Sequence, residues 1–365
     1  MSIAYVQTLP AAPHDGACWI RPVNLIAWDD PACSSGYYQL AGGWMAFADV
    51  DVIQPDGKGY CACRMSVADW LSQAADKAVA QAYLDRLTKP RPDFAGLSLS
   101  EPHIMAIVNV TPDSFSDGGA HFASDDAIAG AKAMAEEGAS ILDIGGESTR
   151  PGAEPVSQQE EMRRILPVIA ALSQEGHIVS ADTRHTAMMG EALKAGAPII
   201  NDVGGFRDYG APEMMAAGYQ MDAGKGFAII MHMQGTPETM QQNPSYDFAP
   251  LDIYIWLEER IKIMQEAGLP LSHIAVDFGF GFGKTPEHNL QIIEWTSLFH
   301  GLGVPLLVGV SRKSTIAKLS NGEPADERLG GSLALTMKAL HGGAQFYRVH
   351  DVSQSKQAIS LYLAR

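Results

Sequence analysis

The sequence predicts an α/β fold, a closed (β/α)8 barrel preceded by a small α+β extension. From Ile104 onward, eight short runs of β-branched and apolar residues recur along the chain. Each run is hydrophobic throughout, which is typical of a strand buried on both faces. Amphipathic helical segments separate most of the runs, and eight such units in about 260 residues match the usual size of this barrel, roughly 250 residues. An open, doubly wound sheet is the alternative, but the dinucleotide-binding fingerprint of that fold is missing.

The composition excludes several classes of protein. Of the 365 residues, 46% are hydrophobic and 19% are charged, which is ordinary for a globular protein and unlike a disordered chain. The formal net charge of −16 argues against general binding to nucleic acid or to an anionic membrane surface. No apolar run is long enough to span a membrane, and the N-terminus lacks the features of a secretion signal. We therefore expect a cytoplasmic protein.

The first hundred residues differ in texture from the rest, and we assign residues 1–100 to an N-terminal extension of unknown role. Segment 38–52 predicts short strands around a Gly-Gly pair. Ser66 begins a predicted helix that ends near Thr88, because the proline-rich segment 89–92 cannot continue it. We place the boundary with the barrel, residues 101–365, at this segment, and expect the barrel to fold and act without the extension. The extension holds four cysteines, which we interpret as free thiols because no second ligand pair accompanies them: Cys18, Cys33, Cys61 and Cys63.

Two helix starts can be identified within the barrel. Ser124 begins a predicted helix that ends near Gly138. Ser157, with Glu160 three residues later, forms a capping box for another helix, which ends near Gly176.

Polar or charged residues follow nearly every predicted strand. In a barrel these strand ends converge on one face, where active sites are built. A single residue of this kind more often caps a turn or a helix, but capping does not explain all eight strand ends, so we predict an enzyme site there. The residues are Asn109, Glu147, Ser148, Thr149, Arg150, Asp182, Asn201, Asp202, His232, Asp277, Ser311, Arg312, Lys313, Arg348 and His350.

The segment 279–285, with the sequence GFGFGKT, has the appearance of a phosphate-binding loop. That motif needs a glycine five residues before the Gly-Lys-Thr glycine, and here the position is Phe278. We interpret the segment as a glycine-permitted turn that presents phenylalanine rings, either to the core or as the wall for a flat heterocycle.

From about Pro102 to the end, the chain resembles the dihydropteroate synthases. Two segments are similar to the signature loops of that family, IVNVTPDSFSDGG at 107–119 and DIGGESTRPGA at 143–153. The later strand-end motifs follow in the family's order: ADTRH, INDVGGF, MHMQGTP, DFGFGFGK, GVSRKS and RVHDV. The family is a (β/α)8 barrel, and the first hundred residues lie outside the resemblance.

The resemblance implies a transferase of folate biosynthesis. The family condenses 6-hydroxymethyl-7,8-dihydropterin diphosphate with 4-aminobenzoate to give 7,8-dihydropteroate and diphosphate. Mg²⁺ is required, and the usual assembly is a homodimer formed through helices late in the barrel. The implied partners are therefore these small molecules and a second copy of the chain, without nucleic acid or membrane.

For the pterin, the resemblance implies four residues at the strand ends. Asp277 accepts hydrogen bonds in bidentate fashion from the N–H donors of the pyrimidinone edge. Asn201 and Asp182 complete that edge, and Lys313 donates to the pterin carbonyl. The alternative for Asp277 is a carboxylate that only caps its turn.

For the diphosphate and the amine, the resemblance implies residues from both signature loops. Arg348, His350, Asn109, Ser148 and Thr149 match the diphosphate positions. The amide of Asn109 also matches the Mg²⁺ contact, which suits a metal that takes few protein ligands. The residues implied for 4-aminobenzoate are Phe115, Arg150, Pro151, Phe282 and Ser314.

The implied mechanism is dissociative. An aromatic amine is a poor nucleophile and diphosphate a good leaving group, so diphosphate leaves first and a cation-like pterin follows. Asp117, in the first loop, and Asp182, beneath the ring, supply fixed negative charge where positive charge develops. With Lys313 they are the implied catalytic residues, although Asp117 has an alternative role as the cap of the glycines that follow it.

Three further positions carry weaker or unusual signals. Arg312 lies beside Lys313, but its alternative role is that of a surface charge without a role in the site. His232 is either a weak member of the site or a histidine packed in the core, and the sequence favours neither. Phe278 stands where the family commonly has proline, which puts the geometry of the following turn in question but removes no ligand.

Two other functions stay open at this point. A methyltetrahydrofolate-type methyltransferase shares the pterin-edge carboxylates but has no use for a diphosphate site, so Arg348, His350 and the second loop argue against it. A non-catalytic pterin-binding paralogue is the other alternative. The presence of both loops together with Asn109 and Lys313 argues against that function.

Overall fold

The structure is a computed structural model that describes residues 3–8, 18–57, 59–110, 120–147, 156–236 and 239–364. Two small sheets form most of the extension. The strands are β1 Ala4–Tyr5, β2 Trp19–Val23, β3 Ile26–Ala27, β4 Tyr38–Gln39, β5 Met45–Phe47, β6 Asp49–Asp56 and β7 Gly59–Ser66. Strands β1, β7, β6 and β2 make a four-stranded sheet, and β3, β5 and β4 make a three-stranded one. The short strands predicted in segment 38–52 are β4, β5 and the start of β6.

The helical part of the extension differs from the single helix that the sequence predicts. Two helices occupy it, α1 Val67–Gln73 and α2 Lys77–Thr88. Ser66 caps α1 as predicted, accepting from the backbone N–H of Asp69 at 3.0 Å. Asp76 starts a second helix because its Oδ1 accepts from two successive backbone N–H groups, at 2.9 and 3.1 Å. The helix ends at Thr88, before the proline-rich segment, as predicted.

Eight parallel strands of the described chain close into a barrel, which confirms the predicted fold class and excludes the open sheet. Each strand pairs with the next, and the last pairs with the first, with Phe346 opposite His103. The strands are β8 His103–Asn109, β9 Ile141–Gly145, β10 Val179–Asp182, β11 Ile199–Asp202, β12 Phe227–Met231, β13 Ile274–Asp277, β14 Leu306–Val308 and β15 Phe346–Val349.

Helices surround the barrel. The helix expected from Ser124 begins earlier, at Ala120, and ends at Glu137. The helix capped by Ser157 runs over Gln158–Gln174, with Ser157 Oγ accepting from Glu160 N at 3.3 Å, which is one half of the predicted capping box. The Glu160 carboxylate, the other half, instead accepts from Arg163 and Arg164. The helices are α3 Ala120–Glu137, α4 Gln158–Gln174, α5 Thr186–Ala195, α6 Ala211–Met221, α7 Ala249–Glu266, α8 Pro286–Glu294, α9 Ser314–Leu319, α10 Leu329–His341 and α11 Val352–Leu363, with short 3₁₀ turns at Leu271–His273, Thr296–Leu302 and Ala325–Glu327.

Phe94 closes the amino-terminal end of the barrel. Its ring is fully buried and packs against the first residues of two strands, Phe227 at 4.9 Å and Phe346 at 5.4 Å between ring centroids. Together with Leu99 it belongs to the apolar cluster that fills this end. The opposite, carboxyl end is therefore the one left for polar side chains.

The extension packs against the outside of the barrel through polar as well as apolar contacts. The Trp44 indole donates to the Leu340 carbonyl at 2.9 Å, and the buried Tyr83 and Tyr254 hydroxyls lie 3.2 Å apart. The division of the chain at residue 100 stays a prediction, since these contacts join the two parts closely.

The cysteines, the possible metal ligands and the lengths of the helices can each be compared with what the sequence predicts. All four cysteines are free thiols, and Cys61 and Cys63 are buried in β7. Within the described ranges, His, Cys, Asp and Glu side chains form no group of three or more that could hold a metal ion. In the same part of the chain, every helix is too short or too polar to cross a membrane.

Candidate active site

The predicted strand-end residues meet at the carboxyl end of the barrel. The register places Asp182 at the end of β10 opposite Asn201 of β11, and on its other side opposite Gly145 of β9. Asn109, at the end of β8, is also opposite Gly145 and is exposed. Parallel pairing thus brings residues that are far apart in sequence to one face, as expected of a barrel.

Arg348 joins two of the buried carboxylates. Its Nε donates to Asp143 Oδ2 and its second terminal nitrogen donates to Asp182 Oδ2, both at 2.6 Å. Asn201 Nδ2 donates to the same oxygen of Asp143 at 3.1 Å. Arg348, the residue predicted to hold diphosphate, is therefore bonded directly to Asp182, which is predicted to hold the pterin. It is linked to Asn201, a second predicted pterin residue, through Asp143.

Burial and pairing act in opposite directions on these charges. Burial raises the pKa of Asp182 to about 7, with Arg348 opposing the rise and Asp143 adding to it. Burial alone would lower the pKa of Arg348, but Asp143 and Asp182 raise it overall, so the guanidinium stays charged. Because short charge-assisted hydrogen bonds favour the ionised carboxylates, Arg348 opposes the effect of burial and favours the anionic form of Asp182.

Asp143 is a site residue that sequence reasoning missed. It lies in the middle of β9, in the run ILDIG, and is fully buried. Its Oδ1 is also buried and has no hydrogen-bond partner among the described residues. The signal that could have found it is a lone carboxylate inside an otherwise apolar strand, since such a charge needs a buried partner.

Asp277 both caps its turn and faces the site. Its Oδ1 accepts from Gly279 N at 2.7 Å, so the capping alternative is present in the structure. The side chain is 6% exposed, and burial raises its pKa, opposed by this hydrogen bond and by the nearby Lys313 and Lys284. Two lysines around one buried carboxylate favour its ionised form, which is the form that can accept from a pterin edge.

The three phenylalanines of the turn after β13 have different roles. Phe278 and Phe280 are each 1% exposed and belong to the core, where Phe278 packs against Phe299 at 5.3 Å between centroids. Phe282 carries the Lys313 ammonium 3.8 Å above its ring centroid, a cation–π contact. Phe282 is therefore the ring placed beside a predicted pterin ligand, and Phe278 fills core space where the family commonly has proline.

The remaining described candidates divide between the site and its surroundings. The His350 ring lies 2.9 Å from Ser311 Oγ, and Ser314 is the exposed first residue of α9. Arg312 forms an ion pair with Asp351, with its closest nitrogen at 2.5 Å, so its charge is paired within the protein. His232 is buried, with its ring edge-on to Trp256 at 4.9 Å, as a packed histidine would be.

Several predicted residues lie outside the described part of the chain. Their implied roles in the two signature loops stay predictions. They are Phe115, Asp117, Ser148, Thr149, Arg150 and Pro151.

Comparisons with known proteins show the family to which the chain belongs. Residues 105–350 match the family model described as pterin binding enzyme. The dihydropteroate synthase of Escherichia coli K12 is 44% identical over 265 residues, which cover 72% of this chain and 91% of that protein. A Xanthomonas albilineans dihydropteroate synthase structure with 4-aminobenzoic acid is 41% identical, with a TM-score of 0.69, covering 75% of this chain and 97% of its own.

A second structure, the Burkholderia cenocepacia dihydropteroate synthase complexed with 7,8-dihydropteroate, is 38% identical with a TM-score of 0.66. The match covers 73% of this chain and 92% of that one. All three similarities span most of the relative, leaving about the first quarter of this chain without a counterpart. The chain is a transferase that belongs to the pterin-binding enzymes and, among them, to the dihydropteroate synthase family.

Proposed function

We propose that this chain joins 4-aminobenzoate to the methylene carbon of 6-hydroxymethyl-7,8-dihydropterin diphosphate, releasing diphosphate and forming 7,8-dihydropteroate for folate biosynthesis. The observation that carries the proposal is the group of buried carboxylates and cations at the carboxyl end of the barrel, centred on Asp182, Asp277 and Arg348. The structures of relatives with 4-aminobenzoic acid and with 7,8-dihydropteroate support the same substrates.

The pterin is held by donors and acceptors that match its edge. Asp277 accepts from the amino-pyrimidinone N–H groups, and Lys313 donates to the pterin carbonyl. Asn201 donates its amide N–H to Asp143, which leaves its amide oxygen as the acceptor for the substrate. Asp182 lies beside it and completes the edge.

The diphosphate is held by Arg348, His350 and the second signature loop. Asn109 offers an exposed amide oxygen at the neighbouring strand end, which is a hard ligand that suits Mg²⁺. Magnesium keeps several waters and uses phosphate oxygens, so a single protein oxygen beside the diphosphate fits it. When bound there, the ion would neutralise charge on the leaving diphosphate.

The order of bond changes follows from the charges. The C–O bond to diphosphate breaks first, the cation-like pterin is stabilised by the ionised carboxylate of Asp182 and by Asp117, and the amine nitrogen then attacks and loses a proton. Arg348 favours this order because its hydrogen bond to Asp182 stabilises the ionised form of that carboxylate against the effect of burial. Fixed charge placed where charge develops is often the largest single contribution to catalysis.

We also propose that the chain acts as a homodimer in the cytoplasm. The family assembles through late barrel helices, which correspond to α10 and α11 here. The support on this chain consists of single exposed apolar side chains on these helices, with Leu361 70% exposed and Ala334 also exposed. The oligomeric state in solution, measured by light scattering, tests this part of the proposal.

The decisive experiment measures product and diphosphate together. With pterin diphosphate, 4-aminobenzoate and Mg²⁺, we expect dihydropteroate and diphosphate in equal amounts. Without the amine, we expect one turnover of Mg²⁺-dependent diphosphate release. Binding of pterin without any release would identify a non-catalytic paralogue, and methyl transfer from methyltetrahydrofolate would identify the other barrel enzyme. Release that strictly requires the amine would replace the dissociative order by direct displacement.

Asp277→Asn tests the assignment of Asp277 as a pterin ligand in a separate binding experiment. An amide presents a donor to a donor, so we expect a loss of about 2–5 kcal/mol in pterin binding by calorimetric titration. Asp51→Asn is the control, because Asp51 is also a buried carboxylate but lies in the extension, where it accepts from Arg64 Nε at 2.8 Å. Near-normal pterin affinity of a folded Asp277→Asn protein would contradict the assignment.

A further inference from the structure

Lys284 is a buried lysine that the mechanism does not use. Its side chain is 2% exposed, and no carboxylate of the described residues lies within ion-pair distance of it. The ammonium instead donates to the Phe282 carbonyl at 2.9 Å, to His232 Nδ1 at 3.0 Å and to the His232 carbonyl at 3.4 Å. An ammonium has three N–H donors, so each one has an acceptor.

These three contacts join the ends of two neighbouring strands. His232 directly follows β12, whereas Phe282 lies in the turn after β13. The same turn is held by Asn289, whose side-chain oxygen accepts from Gly281 N at 2.8 Å, and by Tyr246, whose hydroxyl donates to the Gly283 carbonyl at 2.7 Å. Lys284 is the group that fixes the Phe282 carbonyl itself, and with it the direction of the ring beneath Lys313.

The charges around Lys284 make its protonation sensitive. Burial lowers its pKa to about 7, with Asp277 opposing the change and Lys313 adding to it. Burial and Lys284 together lower the pKa of His232 well below 6.5, and Arg207 adds to this effect. The imidazole is therefore neutral, and because its Nδ1 accepts from Lys284, its proton is assigned to Nε2.

We propose that Lys284 is a positioning residue of the substrate site, whose ammonium form clamps the turn after β13 onto the end of β12 and so holds Phe282 and Asp277 in place for the substrates. The proposal rests on the function proposed above. A neutral amine has two N–H donors for the same three acceptors, so deprotonation removes one contact of the clamp. Lys284 thereby acts through Phe282 and His232, without touching substrate.

The clamp gives the pH profile of kcat/KM for the pterin substrate a specific form. Protonated Lys284 is the competent form, so activity falls as the pH rises through its pKa near 7. The carboxylates that face the site, Asp182 and Asp277, must be ionised and produce the opposite limb at lower pH. We expect a bell-shaped profile for the free enzyme, with Lys284 responsible for the alkaline limb.

The test compares variants of the full chain. For Lys284→Met we expect the KM for pterin diphosphate to rise roughly tenfold to a hundredfold, the effect of a small misplacement, with the alkaline limb removed and the acid limb kept. His232→Asn keeps an acceptor at the Nδ1 position and should retain a KM within roughly threefold of the wild type. His232→Leu removes the acceptor and should resemble Lys284→Met. Lys194→Met is the control, because Lys194 is an exposed lysine at the other end of the barrel.

Each outcome decides the proposal. A folded Lys284→Met protein with wild-type KM and an intact alkaline limb would overturn it. If that variant does not fold, the two His232 variants decide, and equal KM values for them would overturn it as well. If the wild type makes no dihydropteroate, the proposed function fails, but calorimetric pterin affinity against pH still measures the effect of Lys284.

Discussion

At the scale of single residues, the site concentrates buried carboxylates that have few counter-ions. Asp143, Asp182 and Asp277 are all buried at one end of the barrel. Burying a charge without a partner costs several kcal/mol or more, so each carboxylate depends on a named cation. Arg348 serves the first two, and Lys284 and Lys313 lie near the third. The pterin site is therefore held together by the same charges that bind substrate.

Asp143→Asn is expected to damage both stability and the site. The amide cannot accept from Asn201 and Arg348 with the strength of a carboxylate, and it leaves Arg348 with Asp182 alone. Breaking a buried ion pair in this way costs about 3–5 kcal/mol of unfolding free energy, measurable by urea denaturation. We also expect pterin affinity to fall about tenfold or more, because the orientation of Asn201 is no longer fixed.

The matched control for this prediction lies in the extension. Asp51 is also fully buried and paired with arginine, accepting from Arg64 at 2.8 and 3.1 Å. Asp51→Asn should therefore lower stability while leaving pterin affinity unchanged. Equal loss of pterin affinity in both variants would show that Asp143 acts only through stability.

The sequence identifies the polar residues that follow the strands, but not the buried residues that hold those side chains in position. Asp182, Asn201 and Asp277 are identifiable because a polar side chain directly after an apolar run is conspicuous. Asp143 is hidden inside such a run, and its partners lie 58 and 205 residues away, so only closure of the barrel reveals them. Lys284 belongs to the segment that resembles a phosphate-binding loop, but two of its three acceptors come from His232, which follows a different strand.

At the scale of elements, the turn after β13 depends on close backbone approach. Gly279 has a φ of +68°, which side chains rarely adopt, and a Cβ there would lie 1.9 Å from the His232 carbonyl oxygen. The turn can therefore dock onto the end of β12 only if this position is glycine. The docking is what brings Lys284 within reach of His232.

Gly279→Ala tests this close approach. Left-handed backbone costs a residue with a Cβ about 1–2 kcal/mol, and the steric overlap adds about 1–3 kcal/mol. We expect the free energy of unfolding to fall by the sum of the backbone and steric costs. We also expect the folded fraction of the variant to lose pterin binding. Gly322→Ala is the control, because its φ is +83° but its Cβ would meet nothing within 4 Å. Equal effects of both substitutions in urea denaturation would contradict a steric origin.

The helices show what local patterns can and cannot define. The predicted N-cap at Ser157 marks the start of α4 correctly, because the cap is a local interaction. The helix predicted from Ser66 is interrupted before Asp76, where alanines favour helix and no glycine or proline signals a stop. The Asp76 cap starts α2 as a separate helix, and α2 contacts the barrel through the hydroxyl of Tyr83, 3.2 Å from that of Tyr254.

At the scale of the whole molecule, the extension is tied to the barrel at several places. Ser297 donates to the Pro22 carbonyl at 2.7 Å, and the buried Arg91 donates to the His300 carbonyl at 3.0 Å. Phe94, within the first hundred residues, closes the amino-terminal end of the barrel. The described candidate site residues, in contrast, all lie after residue 100 and at the opposite end.

Two truncations test the independence of the barrel. We expect chains 91–365 and 101–365 both to form dihydropteroate, because neither loses a candidate site residue. Loss of Phe94 leaves a cavity at the barrel end, which for a buried phenylalanine costs about 3–5 kcal/mol, so 101–365 should melt at a lower temperature than 91–365. Thermal unfolding and turnover measure both effects. A folded 91–365 protein without turnover would show that the extension contributes to the site.

The contact between Asp143 and Arg348 also has a consequence for how the protein is made. The two residues are 205 positions apart, and ribosomes add about 5–20 residues per second, so Asp143 is synthesised roughly 10–40 s before its counter-ion. During that interval the unpaired carboxylate of Asp143 must stay hydrated, so β9 cannot yet be buried in a core that excludes water. Neutralisation of Asp143 and pairing of β15 with β8 therefore occur together, late in biogenesis, long after the antiparallel strands of the extension have emerged.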